Sequence, residues 1–193
     1  MTFSILRHGK TLWSEWRRIQ GQIDTPLSKE GMGQTFRVAE SLIDMGINRI
    51  ITSDLIRAAG TGAIIAARLN VPIEHIPELR ECSYGRLEGM TVAESSRHYG
   101  VGRVRKSKGN PEGNYDLSSF GGENRNQVLQ RHLKALDYAR SHYQGEHVLL
   151  IGHGRGINTL LSALGLRSLW ERDRVITFEY PEEEPPMELK ESA

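Results

Sequence analysis

Short apolar runs alternate with longer stretches of helical periodicity along this chain, and that alternation constrains the fold more than any other feature. The runs cover residues 2–6, 49–52, 71–76 and 147–151, and 174–180 alternates like a last strand. Between them lie helical patterns. Ser28 suits an N-cap, Met32, Phe36, Ala39 and Ile43 then share one helical face, and Gly46 ends the pattern. Ser53 suits the cap of a helix over 55–69. Thr91 and Glu94 have capping-box spacing and predict a short helix. Leu129, Leu133, Leu136, Ala139 and Tyr143 mark one face of a longer helix, and 157–164 reads as another. Strands spaced by helices in this way predict an α/β fold, a largely parallel central sheet with helices on both faces. The pattern fits a single domain over 1–193 without repeats. The polar stretch 10–26 reads as loop, about 90–123 as an irregular surface excursion, and the acidic, Pro-bearing segment from 181 as a mobile tail.

Composition excludes several function classes. Lys plus Arg number 25 against 24 Asp plus Glu, a net charge of +1 that draws the chain to neither nucleic acid nor membrane. The basic cluster Arg103, Arg105, Lys106 and Lys108 lacks the interleaved aromatics of a nucleic-acid surface. One cysteine, Cys82, rules out an internal disulfide and a Cys-rich zinc site. The first apolar run meets Arg7 too early for a signal peptide or a membrane span, so a soluble cytoplasmic protein is expected.

In a parallel sheet, ligands bind outside the carboxyl ends of the strands. Two runs end there in a His-Gly pair: Leu6-Arg7-His8-Gly9 and Ile151-Gly152-His153-Gly154. A strand-end imidazole is often merely satisfied by a backbone carbonyl, but it can also serve as nucleophile or base. The adjacent Arg7 offers a planar donor fork for phosphate or carboxylate. Arg57, at the start of the helix after the second strand, falls at the same edge. Two Arg and two His there would make an oxyanion site. Glu81 and Glu88 each could supply a general acid.

Leu6-Arg7-His8-Gly9-Lys10-Thr11 resembles the signature of the histidine phosphatase superfamily, which includes the phosphoglycerate mutases. Further motifs follow in family order: Gln20 to Ser28, Ser53-Asp54-Leu55-Ile56-Arg57-Ala58, Glu78 to Gly89, Gly121-Gly122-Glu123 with Arg131, and Gly152-His153-Gly154. The likeness spans roughly residues 3 to 165. It implies that His8 is the nucleophile that becomes phosphohistidine. Arg7, Arg57 and His153 would hold the phosphoryl oxygens, and Glu81 would protonate the leaving oxygen and then activate water. A neutral His8 and a cationic His153 would divide the labour. Lys10, Ser14 and Arg155 depart from the family pattern, as do Gly60 and Gly62. Lys10 and Arg155, each two residues past a catalytic His, are expected on the pocket rim with Ser14, where they could meet a second anionic group.

The implied activity is phosphomonoesterase action on a small phosphorylated metabolite, with no cofactor and no metal. The short segment after the acid block favours this over a phosphoglycerate mutase, whose insertion there is usually longer. A third class is a phospholigand-binding regulatory protein that retains the pocket without turnover. Family members often dimerise, so a homodimer is also expected.

Overall fold

The computed structural model describes residues 1–110 and 113–181. The tail expected beyond 181 lies outside the described residues. Five strands form one sheet: β1 (Thr2–Arg7), β2 (Arg49–Ser53), β3 (Ile73–Ile76), β4 (His147–Gly152) and β5 (Val175–Glu179), in the order β3-β2-β4-β1-β5. β1 to β4 are parallel, and β5 runs antiparallel along the free edge of β1. Among the described residues seven α-helices accompany them: α1 (Leu12–Glu15), α2 (Lys29–Ser41), α3 (Ile56–Leu69), α4 (Val92–Tyr99), α5 (Val101–Lys108), α6 (Arg125–His142) and α7 (Gly154–Ala163). The α/β architecture read from the sequence is thus the observed one. Among the described residues no helix is long and apolar enough to cross a membrane.

The three central strands, β2, β4 and β1, are largely apolar because both sheet faces are covered there. Phe3, Ile5, Ile51, Val148 and Leu150 point to a core shared with α6 and α7. Their alternates Leu6, Ile50, Leu149 and Ile151 point to the core under α2 and α3. The connection leaving β1 therefore runs over one face of the sheet and the connection leaving β4 over the other. Adjacent parallel strands whose connections part this way leave a crevice at their carboxyl ends. β1 and β4 are paired through Arg7 and Gly152, so His8 and His153 stand at that crevice.

Three local readings need correction. Of the residues expected to share one helical face, Ala39 is buried but Met32, Phe36 and Ile43 are 42%, 57% and 42% exposed. The buried side of α2 is instead Gly31, Thr35, Val38 and Ala39. Small residues take it because α2 lies against the turn after β1, where Gly31 almost touches the Lys10 carbonyl. The surface excursion is not one either. Val104 of α5, with Tyr115, Leu117 and Phe120, packs on Ile19, Cys82, Leu87 and Val128 in a third apolar cluster. Only one α5 side chain is buried, so its basic residues masked it. Finally, α7 begins at Gly154, three residues earlier than its periodicity suggested, and α3 begins at Ile56, whose N–H is capped across the fold by Asp24 Oδ1 at 2.8 Å.

Two glycines of α2 give opposite expectations. A Cβ on Gly31 would stand 2.0 Å from the Lys10 carbonyl oxygen, whereas on Gly33 it would meet nothing closer than Arg37 Nη1 at 3.8 Å. Gly33→Ala is expected to raise stability by about 0.5–1 kcal/mol through helix propensity. Gly31→Ala is expected to lower it by roughly 1–3 kcal/mol through backbone displacement. Urea melts of the two variants check the signs.

Candidate active site

The end of β1 delivers His8 with its backbone N–H bonded to Gly152 O at 3.0 Å. Its ring is buried, and Nδ1 lies 2.7 Å from Gly9 O. A carbonyl oxygen only accepts, so Nδ1 carries the proton and Nε2 keeps its lone pair. The end of β4 delivers His153, whose ring centroid is 5.0 Å from that of His8. Arg57 Nε donates to His153 Nδ1 at 3.2 Å. A guanidinium N–H only donates, so Nδ1 accepts and the His153 proton sits on Nε2. That Nε2 is buried with no partner among the described residues. One ring thus keeps a lone pair on Nε2 and the other an N–H on Nε2.

Burial drives the acidity of both rings. Desolvation, then the charges of Arg57, Arg7 and Arg172, hold His8 well below the ordinary histidine range. Desolvation, then Arg57, does the same to His153. The expected cationic His153 is therefore corrected. The ring is neutral, because the Arg57 N–H occupies the nitrogen that an imidazolium would need to protonate. The positive charge belongs to the arginines.

Arg57 opens the first turn of α3 and is 1% exposed. Besides His153 it donates to Ile23 O at 2.9 Å and Gly21 O at 2.6 Å. Three of its five N–H groups are thereby committed and two remain. Burial lowers its pKa to about 10, against the opposing pull of Glu81. Arg7 lies flat across the start of α7, where a Cβ on Gly154 would stand 3.0 Å from its Cζ. Arg7 Nη1 donates to Trp170 O at 2.7 Å, while its buried Nε has no hydrogen-bond partner among the described residues.

Glu81 sits at the N-terminus of α7. Its carboxylate accepts from the backbone N–H of Cys82 at 2.9 Å, Gly156 at 3.0 Å and Arg155 at 3.2 Å. Arg131 fixes the supporting loop: it pairs with Glu123 and donates to the carbonyls of Glu78, Arg80 and Glu81. Glu88 plays a different part. Its Oε1 accepts from the N–H groups of Tyr84 and Gln22, clamping two loops away from the crevice.

A cleft of about 260 Å³ opens over His8, with His153 buried behind it. Arg7, His8, Ser14, Arg57 and Glu81 line it, with Tyr84, Lys108, Arg172 and the 17–21 segment. An adjoining chamber of about 270 Å³ shares the Arg7, Glu81, Tyr84 and Lys108 wall and reaches Trp170. Lys10 is not among the lining residues of either; its ammonium pairs with Glu30 on the surface. Ser14 lines the cleft but commits its hydroxyl to Thr11 in the capping box of α1. Arg155 does not line the cleft but does line the adjoining chamber. It is buried, donates from Nε to Tyr84 Oη and from Nη1 to Lys108 O, and stacks on Tyr115 with Cζ 4.3 Å from the ring centroid. Sequence reading missed Lys108 and Arg172 as site residues. Lys108 was visible only within a basic cluster, and Arg172 only within a charged stretch ahead of the last strand. Among the described residues no group of three or more His, Cys, Asp or Glu side chains is placed to hold a metal ion.

The sequence model of the histidine phosphatase superfamily (branch 1) matches residues 3–177. A probable phosphoglycerate mutase GpmB of Erwinia tasmaniensis is 34% identical over 87% of this chain and 77% of its own length. The Cronobacter sakazakii protein of the same name is 36% identical over the same shares. Among solved structures, a mycobacterial glucosyl-3-phosphoglycerate phosphatase complexed with VO3 superposes with a TM-score of 0.76 at 29% identity, covering 84% of this chain and 81% of that one. Bacillus stearothermophilus YhfR superposes with a TM-score of 0.78 at 28% identity, covering 93% and 91%. Sequence, fold and the paired imidazoles agree: the chain belongs to the histidine phosphatase superfamily, whose members are phosphatases and phosphoryl-transferring mutases.

Proposed function

We propose that this protein is a phosphomonoesterase that hydrolyses a small phosphorylated metabolite through a phosphohistidine on His8. The carrying observation is the opposed pair of tautomers: a His8 Nε2 lone pair at a cleft lined by Arg7, Arg57 and Glu81, and, on a ring centred 5.0 Å away, a buried His153 Nε2–H without a partner among the described residues. His8 Nε2 attacks phosphorus, and the ester P–O bond breaks. Glu81, in its acid form, gives its proton to the departing oxygen. The resulting carboxylate then takes a proton from water, whose oxygen attacks phosphorus and breaks the P–N bond, releasing phosphate and restoring His8. Arg7, Arg57 and the His153 N–H face the equatorial oxygens, where negative charge is spread during transfer.

The second reading is transfer of the phosphoryl group to another hydroxyl, as in a mutase, and the names of the GpmB relatives favour it. Phosphate release in excess of protein, measured with and without 2,3-bisphosphoglycerate, separates the two. Net release without the bisphosphate supports hydrolysis; isomerisation without release supports transfer.

Rapid quench with labelled substrate is expected to trap an acid-labile, base-stable phosphoprotein, and His8→Ala is expected to lose both label and turnover. Undiminished hydrolysis by that variant would sink the mechanism.

The two carboxylates separate by leaving group. Glu81→Gln is expected to slow alkyl phosphates by roughly 10²–10⁴-fold, the range for a lost general acid. It is expected to slow p-nitrophenyl phosphate far less, since that leaving group departs without a proton. Glu88→Gln is expected to show no such difference, because its carboxylate is bound to the N–H groups of Tyr84 and Gln22. Equal slowing of both substrates by Glu81→Gln would assign Glu81 another role.

A further inference from the structure

One cation beside His8 has no part in the reaction as written above. The cations lining the cleft are Arg7, Arg17, Arg18, Arg57, Lys108 and Arg172. Arg7 and Arg57 already face the phosphoryl group. Arg18 pairs with Glu94 and donates to Gly89 O, and Arg17 is exposed. Lys108 belongs to the wall shared with the adjoining chamber, and the charge that bears on it is that of Arg155. Arg172 is partly buried and commits no side-chain hydrogen bond or ion pair among the described residues, where its buried Nε has no partner. The charges that bear most on His8 are those of Arg57, Arg7 and Arg172. Arg7 and Arg57 in turn bear on Arg172. Three guanidinium groups thus gather beside one imidazole.

The segment that carries Arg172 is held in place. Asn158 of α7 is 1% exposed, and its Nδ2 donates to Gly154 O at 2.7 Å and Leu169 O at 2.9 Å. Its Oδ1 accepts the Leu169 N–H at 2.6 Å. One side-chain amide therefore pairs with both backbone groups of Leu169, whose own side chain is buried in the core under α6 and α7. The next carbonyl, Trp170 O, receives Arg7 Nη1, and Arg172 follows two residues later. Arg172 thus reaches the cleft from backbone tied both to α7 and to Arg7. Burial and the charges of Arg7 and Arg57 lower its pKa to about 10, against the pull of Glu81. Gathering three like charges in a partly buried place is costly in the empty protein, and an anion among them relieves that cost. Arg57 has two N–H groups left and Arg7 has given one to Trp170, whereas Arg172 brings an uncommitted planar fork.

We propose that Arg172 is a third arginine that binds the phosphoryl group, and that Asn158 is its positioning residue, acting through the 169–172 segment. This rests on reading the cleft as a phosphoryl site. Arg172 then acts on the group being transferred and not on the group that leaves, so its contribution is the same for every phosphomonoester.

The test is calorimetric binding of inorganic phosphate and orthovanadate to the full-length protein, with each variant checked by thermal melt. Arg172→Gln and Arg172→Met are expected to weaken both anions roughly tenfold or more, and Arg172→Lys, which keeps the charge but not the fork, to restore only part. Asn158→Asp removes the Nδ2 donors. It is expected to weaken both anions when Arg172 is present and to add less than its full factor in the Arg172→Gln background. In turnover, Arg172→Gln is expected to slow alkyl phosphates and p-nitrophenyl phosphate by similar factors, the reverse of the Glu81→Gln pattern. Unchanged anion binding in both neutral variants, or full binding in Arg172→Lys, overturns the contact while leaving the phosphoryl site standing. Slowing confined to one leaving group overturns it as well, and full additivity with Asn158→Asp overturns the positioning role. Binding of neither anion by the unaltered protein would remove the phosphoryl site and the proposal with it.

Discussion

A buried guanidinium holds this site together. Arg57 joins three parts of the chain that are remote in sequence: the 21–23 loop through two carbonyls, α3 through its own backbone, and the end of β4 through His153. Removing it would leave two carbonyls without donors, at about 1–3 kcal/mol each for buried groups. It would also free His153 Nδ1 to take the proton. The arrangement sets a chemical state as well as a shape. By donating to Nδ1, Arg57 keeps His153 neutral with its proton on Nε2, while its charge helps keep His8 unprotonated.

The second organising element is the N-terminus of α7. Its first N–H groups hold Glu81, and its Gly154 admits Arg7 against the backbone. One helix start therefore fixes Glu81 and Arg7 relative to each other. His132 completes this packing. Its ring lies where a Cβ on Gly156 would come within 2.5 Å of Nε2, so the glycine at 156 is needed for the helix to approach α6. Arg155, between these glycines, turns away from the phosphoryl position and ties the 101–122 segment to the catalytic helix.

Much of this was legible in the sequence, for identifiable reasons. Parallel strands buried on both faces write themselves as unbroken apolar runs, and their His-Gly endings marked the crevice. Glu81 could be chosen over Glu88 through family resemblance, and the geometry gives the reason: one faces the cleft and the other clamps loops. What sequence could not show were contacts set by tertiary geometry. Large apolar residues of α2 pointed outward because the turn at Lys10 leaves room only for Gly31 and its small neighbours. The protonation state of His153 depends on an Arg57 contact across 96 residues of sequence. Lys108 looked like solvated charge because nothing in its local pattern reports that α5 folds over the active site.

The central claim is that both imidazoles are neutral and carry their protons on opposite nitrogens. Long-range ¹H–¹⁵N correlation spectra of the two rings test it directly. For both, the lowered proton affinity means that the neutral form persists as pH falls through the ordinary histidine value of 6.5. At pH 6 the account predicts His8 as the Nδ1–H tautomer and His153 as the Nε2–H tautomer. An imidazolium pattern at His153, or an Nε2–H tautomer at His8, would contradict it.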